Sequence, residues 1–254
     1  MTGTKVIKLR LEGGADSNLP KLREGIATEL CVLYEQLPYT LSFDVTNSNI
    51  SKLTETLGFD RGQLESIDSS QLQCVYDALE DRFKGDGNFG HKCGILLTYL
   101  MSHSRHNEFK LKVNKPLSRL GAYFTEGKKL TVVGDVKDYV GYKMRGGEIT
   151  VKGSAGAWLG YEMEQGSILL EKNADTWAGN QMKGGRLHVK GNSGEWTGER
   201  MEGGILQVDG DSGEETGNNM DGGVINVNGK IAGVGRIFED STGELRHRGV
   251  KIAP

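Results

Sequence analysis

The chain is poor in several things that would define common function classes. Its 254 residues hold 3 cysteines and 5 histidines, and a formal net charge of only −3. Cys31, Cys74 and Cys93 lie far apart, in no CxxC or paired spacing. An odd count without a framework points to reduced thiols and an intracellular, cytoplasmic protein. A balance this close to neutral, with a pI near 6.0, gives no basic bias toward nucleic acid or an anionic membrane surface. No run approaches the ~18 consecutive apolar residues that a membrane-spanning helix needs. The first residues, MTGTKVIKLRLEGG, lack the apolar stretch of a secretory leader. Prolines number 4 against 38 glycines.

The placement of those glycines decides the reading, because most lie after residue 120 at a fixed period. From Gly134 the chain reads GDVKDYVGYKMRGGEITVK, GSAGAWLGYEMEQGSILLE, KNADTWAGNQMKGGRLHVK, GNSGEWTGERMEGGILQVD and GDSGEETGNNMDGGVINVN. A decayed copy precedes them, with Gly127, Leu130 and Val132 in phase, and a truncated one, GKIAGVG, follows. About six 19-residue coils are therefore expected. Ile149 and Val151, and their equivalents through Ile225 and Val227, alternate with period 2 and read as strands facing one interior. Met144, Met163, Met182, Met201 and Met220 form a second column, five of the seven methionines. Tyr139, Trp158, Trp177 and Trp196 form a third, containing all three tryptophans and failing at Glu215, where a cap or a partner would begin. Glycine pairs mark corners, and a glycine-rich 19-residue coil leaves no room for a full helix.

Charges test the stacking. The position after each methionine reads Arg145, Glu164, Lys183, Glu202, Asp221, and the last strand position reads Lys152, Glu171, Lys190, Asp209, Asn228. Alternating sign favours a residue lying directly over its counterpart one coil on, although exposed pairs contribute at the low end of ~0–1 kcal/mol. The fold class follows: α+β, with a right-handed parallel β-helix over residues 116–254, including a C-terminal capping tail, and a small mixed α/β domain over residues 1–115. In that first domain Val6 to Leu11 and Tyr39 to Val45 read as strands. Leu22, Ile26, Leu30, Leu33 and Leu37 fall at helical spacing. So do Leu72, Val75, Tyr76, Leu79 and Phe83, behind a cap at Ser69 or Ser70. A third, apolar helix covers Gly94 to Ser102, and Glu108 to Val113 leads into the first coil. The expected task of this domain is to cover the open N-terminal edge of the solenoid.

Reactive chemistry is sparse. His91, Cys93, His103 and His106 form the one local cluster of metal-ligand types, but their spacing matches no common zinc site, and helix-end histidines beside a buried thiol are the reading preferred to zinc. The GxxGxxxG strings lead into further strands instead of opening a helix, which argues against a phosphate loop. The aromatic column reads as a packed ladder or as a stacking platform for bases or sugars. Glu214 and Glu215 have no histidine or lysine fixed nearby and read as solvated or partner-facing charge. No catalytic residue, metal or cofactor is therefore expected. On the outward strand positions Leu169, Ile205 and Val224 are apolar where other coils carry Thr150, Glu148, Arg186 or His188. They form either a docking patch or a surface that the tail from Ile237 to Pro254 folds over.

The repeated GxxGxxxG strings, the methionine and the Gly-Gly-x-[Ile/Leu/Val]-x-Val endings resemble the GXGXG β-helix module. Runs such as GSAGAWLGYEM and GNSGEWTGERMEGG are similar in style to the C subunit of formylmethanofuran dehydrogenase and of the related formyltransferase/hydrolase complex. The C-terminal domain of the glutamate synthase large subunit is a more distant likeness. The likeness covers about Gly127 to Gly235, and residues 1–115 do not match the lead-in of the C subunit. It implies a structural chain without catalytic residues, whose partners are the catalytic subunits of a C1-metabolism complex, or of nitrogen assimilation on the second likeness. A ligand-binding module built on the aromatic column is the reading from a different class, and an enzyme with its site in the first domain is a further one.

Overall fold

The computed structural model describes residues 34–35, 61–83 and 85–253. The strands expected over 6–11 and 39–45, Cys31, and the helix expected over 22–37 apart from Tyr34 and Glu35, lie outside the described residues. Among the described residues Tyr34 and Glu35 are helical, and three further helices follow: α1 (Arg61–Glu65), α2 (Ser69–Phe83) and α3 (Phe89–His103). Nine strands follow in one sheet: β1 (Glu108–Lys112), β2 (Lys129–Val133), β3 (Arg145–Lys152), β4 (Gln165–Leu170), β5 (Arg186–Val189), β6 (Ile205–Val208), β7 (Val224–Val227), β8 (Glu244–His247) and β9 (Val250–Ala253). They are hydrogen-bonded in chain order. Among the described residues no helix is long and apolar enough to cross a membrane.

The expected β-solenoid is present, in the expected register. Ile149 pairs with Ile168, Ile168 with Leu187, Leu187 with Leu206 and Leu206 with Ile225, each partner one full repeat further along the chain. These residues, with the Val151, Leu170, Val189, Val208 and Val227 column, are buried. Each such aliphatic side chain contributes ~1.5–3 kcal/mol of transfer free energy. The five methionines are fully buried and stacked by their backbones: Met144 accepts from Glu164, Met163 from Lys183, Met182 from Glu202 and Met201 from Asp221. Of the charged columns, Arg145 and Glu164 close an ion pair at 3.5 Å.

The solenoid is longer than the repeat pattern indicates. β1 to β8 are all parallel, making about seven turns instead of six coils. The additional strands join off-period: Glu108 pairs with Lys129, two positions beyond a full repeat, and Val224 with Glu244, one position beyond. The sheet thus begins upstream of residue 116. The tail does not fold back over the strand face. It extends the sheet as β8 and turns at Arg248 and Gly249, both with positive φ. It then ends as β9, antiparallel to β8. That geometry suits a tight two-residue hairpin.

The helices cover the other end. α2 is capped by Asp68, one residue before the expected serines. Its carboxylate accepts from the Ser70 and Gln71 amides at 2.8 and 2.9 Å and from the Ser70 hydroxyl at 2.6 Å. The Gln71 side chain accepts from the Asp68 amide at 3.1 Å, which completes a reciprocal capping box. Those bonds, the Ser70 hydroxyl first, hold the Asp68 carboxyl below its ordinary range. One face of α2 buries Leu72, Val75, Tyr76 and Leu79. An adjoining stripe serves the open edge of β1. Ser69 accepts from the Lys110 amide and donates to the Glu108 carbonyl. Gln73 does both at Lys112, accepting from its amide at 2.7 Å and donating to its carbonyl at 2.9 Å. The Tyr76 hydroxyl accepts from the Asn114 and Lys115 amides. Three side chains at i, i+4 and i+7 thereby take the place of a strand.

α3 lies beneath the first coil, and every residue from Lys92 to Met101 is buried. It extends further at both ends than the apolar run Gly94 to Ser102. Gly94 is required at the contact, since a Cβ there would sit 1.9 Å from the Ser118 carbonyl oxygen. One turn on, the Thr98 hydroxyl donates to the Arg119 carbonyl and accepts from the Gly121 amide. The loop after α3 is tied down by Lys128, whose ammonium donates to the Ser104 and His106 carbonyls at 2.7 and 2.9 Å. One buried cluster runs from Tyr34 through the helices to Leu245.

Candidate functional site

The four metal-ligand candidates do not converge. His91 is half-buried on α3, its Nδ1 3.4 Å from the Arg119 Nε–H. Burial, and then the Arg119 charge, holds its pKa down. Cys93 is wholly buried and its thiol is pushed well up by desolvation. His103 sits at the far end of α3, about 18 Å along the axis from His91. Its Nδ1 is bonded to the Tyr99 carbonyl and its ring lies 4.0 Å from that of Tyr99. His106 is exposed beyond the helix. Among the described residues no three metal-ligating side chains come together.

The aromatic column is a physical stack. Tyr139 and Trp158 are 5.8 Å apart and 6° from parallel, and Trp158 and Trp177 are 4.8 Å apart at 10°. The Arg119 guanidinium heads it, 4.6 Å above the Tyr139 ring. A second file, not expected from the sequence, runs alongside: Tyr142 and Tyr161 stack at 5.5 Å, and Tyr161 meets Trp158 edge-on at 5.0 Å. Burial pushes the Tyr161 hydroxyl up to about 12. The recurrence of tyrosine at Tyr142 and Tyr161, one repeat apart, is the signal that could have found it.

The backbone beneath this stack is unusual. Tyr139, Trp158, Trp177, Trp196 and Glu215 all have φ between 59 and 62°, as does Arg119. Left-handed backbone costs an ordinary residue about 1–2 kcal/mol. Here it aims the amide of each aromatic residue at the next coil: Tyr139 donates to the Ala157 carbonyl and Trp158 to Thr176 at 3.0 Å, Trp177 to Glu195 and Trp196 to Glu214 at 2.9 Å. Hydrogen bonds between coils and ring stacking together offset the strain. The faces between Tyr139, Trp158 and Trp177 are occupied by one another, and all four rings of the column are half-buried.

A polar ladder is likewise absent from the sequence-based expectations. Asp135, Asn173, Asn192 and Asp211 each accept, through Oδ1, the amide one coil on, at Ser154, Asn192, Asp211 and Lys230, over 2.7–2.9 Å. The preceding position is Gly153, Gly191, Gly210 or Gly229 wherever the coil below carries one of these oxygens. A Cβ on Gly210 would lie 2.2 Å from Asn192 Oδ1. Lys172 alone breaks that glycine column, and it stands over Ser154, which has no such oxygen.

On the outward strand face Ile205 and Val224 pair directly in register. Ile205 is 38% exposed and Val224 half-buried. Leu169 lies in the next outward column, level with His188, and Arg186 is the residue that pairs with Ile205 from the coil below. Leu169 and the pair are therefore separated by a polar coil. Glu215 lies at the end of the aromatic column, on another side of the coil. The grooves beside β1 are lined by Ser69, Gln73, Lys110 and Lys112, whose polar groups hold the helix to the strand.

Comparison with curated proteins returned no match. The model of the GXGXG motif family matches residues 94–241, more than half the chain, from the middle of α3 through every regular coil to the turn before β8. The stacked coils, their glycine corners and this match lead to one conclusion: the chain belongs to the GXGXG motif family.

Proposed function

We propose that this chain is a non-catalytic scaffold subunit whose partners are the catalytic subunits of a one-carbon enzyme complex of the formylmethanofuran dehydrogenase type. The observation that supports it is the pair Ile205–Val224, apolar neighbours on a strand face that the tail leaves uncovered. Apolar side chains that adjoin one another on an outward face, unlike scattered single ones, mark a candidate docking point. The resemblance of the coils to the C subunit of that enzyme supplies the complex. Membership in the GXGXG family is equally compatible with a glutamate synthase-like structural module, and the identity of the co-purifying chains separates the two readings.

The test is affinity purification of the full chain from its native cell. Catalytic subunits are expected to co-purify, and recovery of this chain alone under gentle conditions rejects the proposal. Ile205→Lys with Val224→Lys is expected to abolish partner recovery with the circular dichroism spectrum unchanged. Loss of folding instead would make those residues core. A ligand-binding module on the aromatic column is the competing class. Since Tyr139, Trp158 and Trp177 already stack on one another, tryptophan fluorescence is expected to stay constant when nucleotides or sugars are added.

A further inference from the structure

Arginine is seldom drawn into a protein without a partner for its charge. Among the arginines whose side chains are described, only Arg119 and Arg246 are less than exposed, and both are half-buried. Arg246 pairs with Glu244. Arg119 pairs with no carboxylate among the described residues, and its side chain makes one hydrogen bond, the long contact from Nε–H to His91 Nδ1 at 3.4 Å. Tyrosine rings supply much of its remaining surroundings, Tyr139 at 4.6 Å and Tyr142 at 6.0 Å. The acid on the adjoining coil, Asp138, has its Oδ1 taken by the Ala157 amide at 2.9 Å. Of the groups that favour the Arg119 charge Asp138 contributes least, and exposed Lys137 beside it offsets its charge. Burial lowers the Arg119 pKa from the ordinary arginine value, yet a guanidinium stays charged at any physiological pH. Burial, and then that charge, hold His91 toward its neutral form. One cation is thus left half-buried and unanswered.

We propose that Arg119 anchors a site for a small oxyanion, a carboxylate or phosphate group taken by the two terminal nitrogens of its guanidinium. With Nε committed to His91 and one face covered by Tyr139, the terminal edge is what remains for a ligand. Its parallel N–H donors match two oxygens on one carbon or phosphorus. The anchor is also held in place from both sides. Its amide donates to the Asp138 carbonyl at 2.8 Å on the next coil, and its own carbonyl accepts from the Thr98 hydroxyl of α3 at 3.2 Å. A site fixed by the helix on one side and the coil on the other needs little rearrangement to bind. The inference is independent of the scaffold reading, and either can fail without the other.

Nuclear magnetic resonance of the Arg119 Nε–H, in the full-length chain, tests it without any substitution that could disturb the coil. Sodium acetate and sodium phosphate are titrated separately, replacing sodium chloride at constant ionic strength. The Arg119 signal is expected to follow a saturable curve with a Kd on the order of millimolar or tighter, while those of exposed Arg236 and Arg248 move little. The anion with the tighter curve identifies the source as carboxylate or phosphoryl. Arg119→Lys keeps the charge and loses the fork, and circular dichroism should confirm that it folds. Measured by the rise in Tm with anion concentration, that variant should bind about ten-fold more weakly or worse, and Lys137→Gln should bind as the wild type does. A shift that never saturates, an equal response at Arg236 and Arg248, or undiminished binding by a folded Arg119→Lys protein overturns the proposal.

Discussion

At the scale of single residues, the fold depends on positions where coils approach too closely for an added atom. Gly210 is the clearest. A methyl group there would meet Asn192 Oδ1 at 2.2 Å and the Gly191 carbonyl oxygen at 2.7 Å. Gly210→Ala is expected to lower stability by about 1–3 kcal/mol, the usual range for overpacking. Lys172→Gly, at the same place in its coil, should cost under ~1 kcal/mol. Urea midpoints for the two variants check the contrast, and equal losses would show that the asparagine oxygen is not the constraint. Sequence made the glycine column visible, and it also held the alternation of Asx and glycine behind it. The left-handed tryptophans were not legible. Bulky residues disfavour that backbone, and only the amide bonds to the next coil, which exist after folding, impose it.

At the scale of elements, legibility divides by whether the stabilising contact is local. β3 to β7 could be read because every one repeats the same alternation at the same interval. β1 and β8 carry equivalent side chains but join two positions and one position out of step with that interval, so a search at a single period drops them. For α2 the buried stripe was legible and so was a cap near Ser69. The Asp68–Gln71 box is masked in the sequence by the two serines that adjoin it, each a good cap in its own right. What no helical pattern reveals is that Ser69, Gln73 and Tyr76 answer the hydrogen-bonding groups of a strand far along the chain and of the turn that follows it. Gln73→Ala should therefore cost about 1–3 kcal/mol, for two lost intramolecular hydrogen bonds at ~0.5–1.5 kcal/mol each. Its signature is local: the Lys112 amide should exchange with solvent faster, while amides in β5 keep their protection. Uniform loss of protection would mean that α2 packing, not edge satisfaction, is what the glutamine supplies.

At the scale of the molecule, the two ends are closed by different means. Side chains from a helix satisfy the first strand, and an antiparallel hairpin follows the last. Neither closure touches the interior coils, each of which contacts only its neighbours, as in other solenoids. The number of coils is thus free to change while both ends stay intact. Excising residues 172–190, one whole period, should yield a shorter protein that still unfolds cooperatively with a β-rich spectrum. Removing 172–189 instead leaves that coil one residue short, inside the regular repeat and away from the off-period turn that precedes β8, and should cost far more stability than removing the whole period. Such a molecule is a ruler graduated in single turns, with the distance between its closed ends adjustable in steps of ~4.8 Å. Duplication or deletion of the codons for one register step, such as that from Leu187 to Leu206, would be enough to reset that distance.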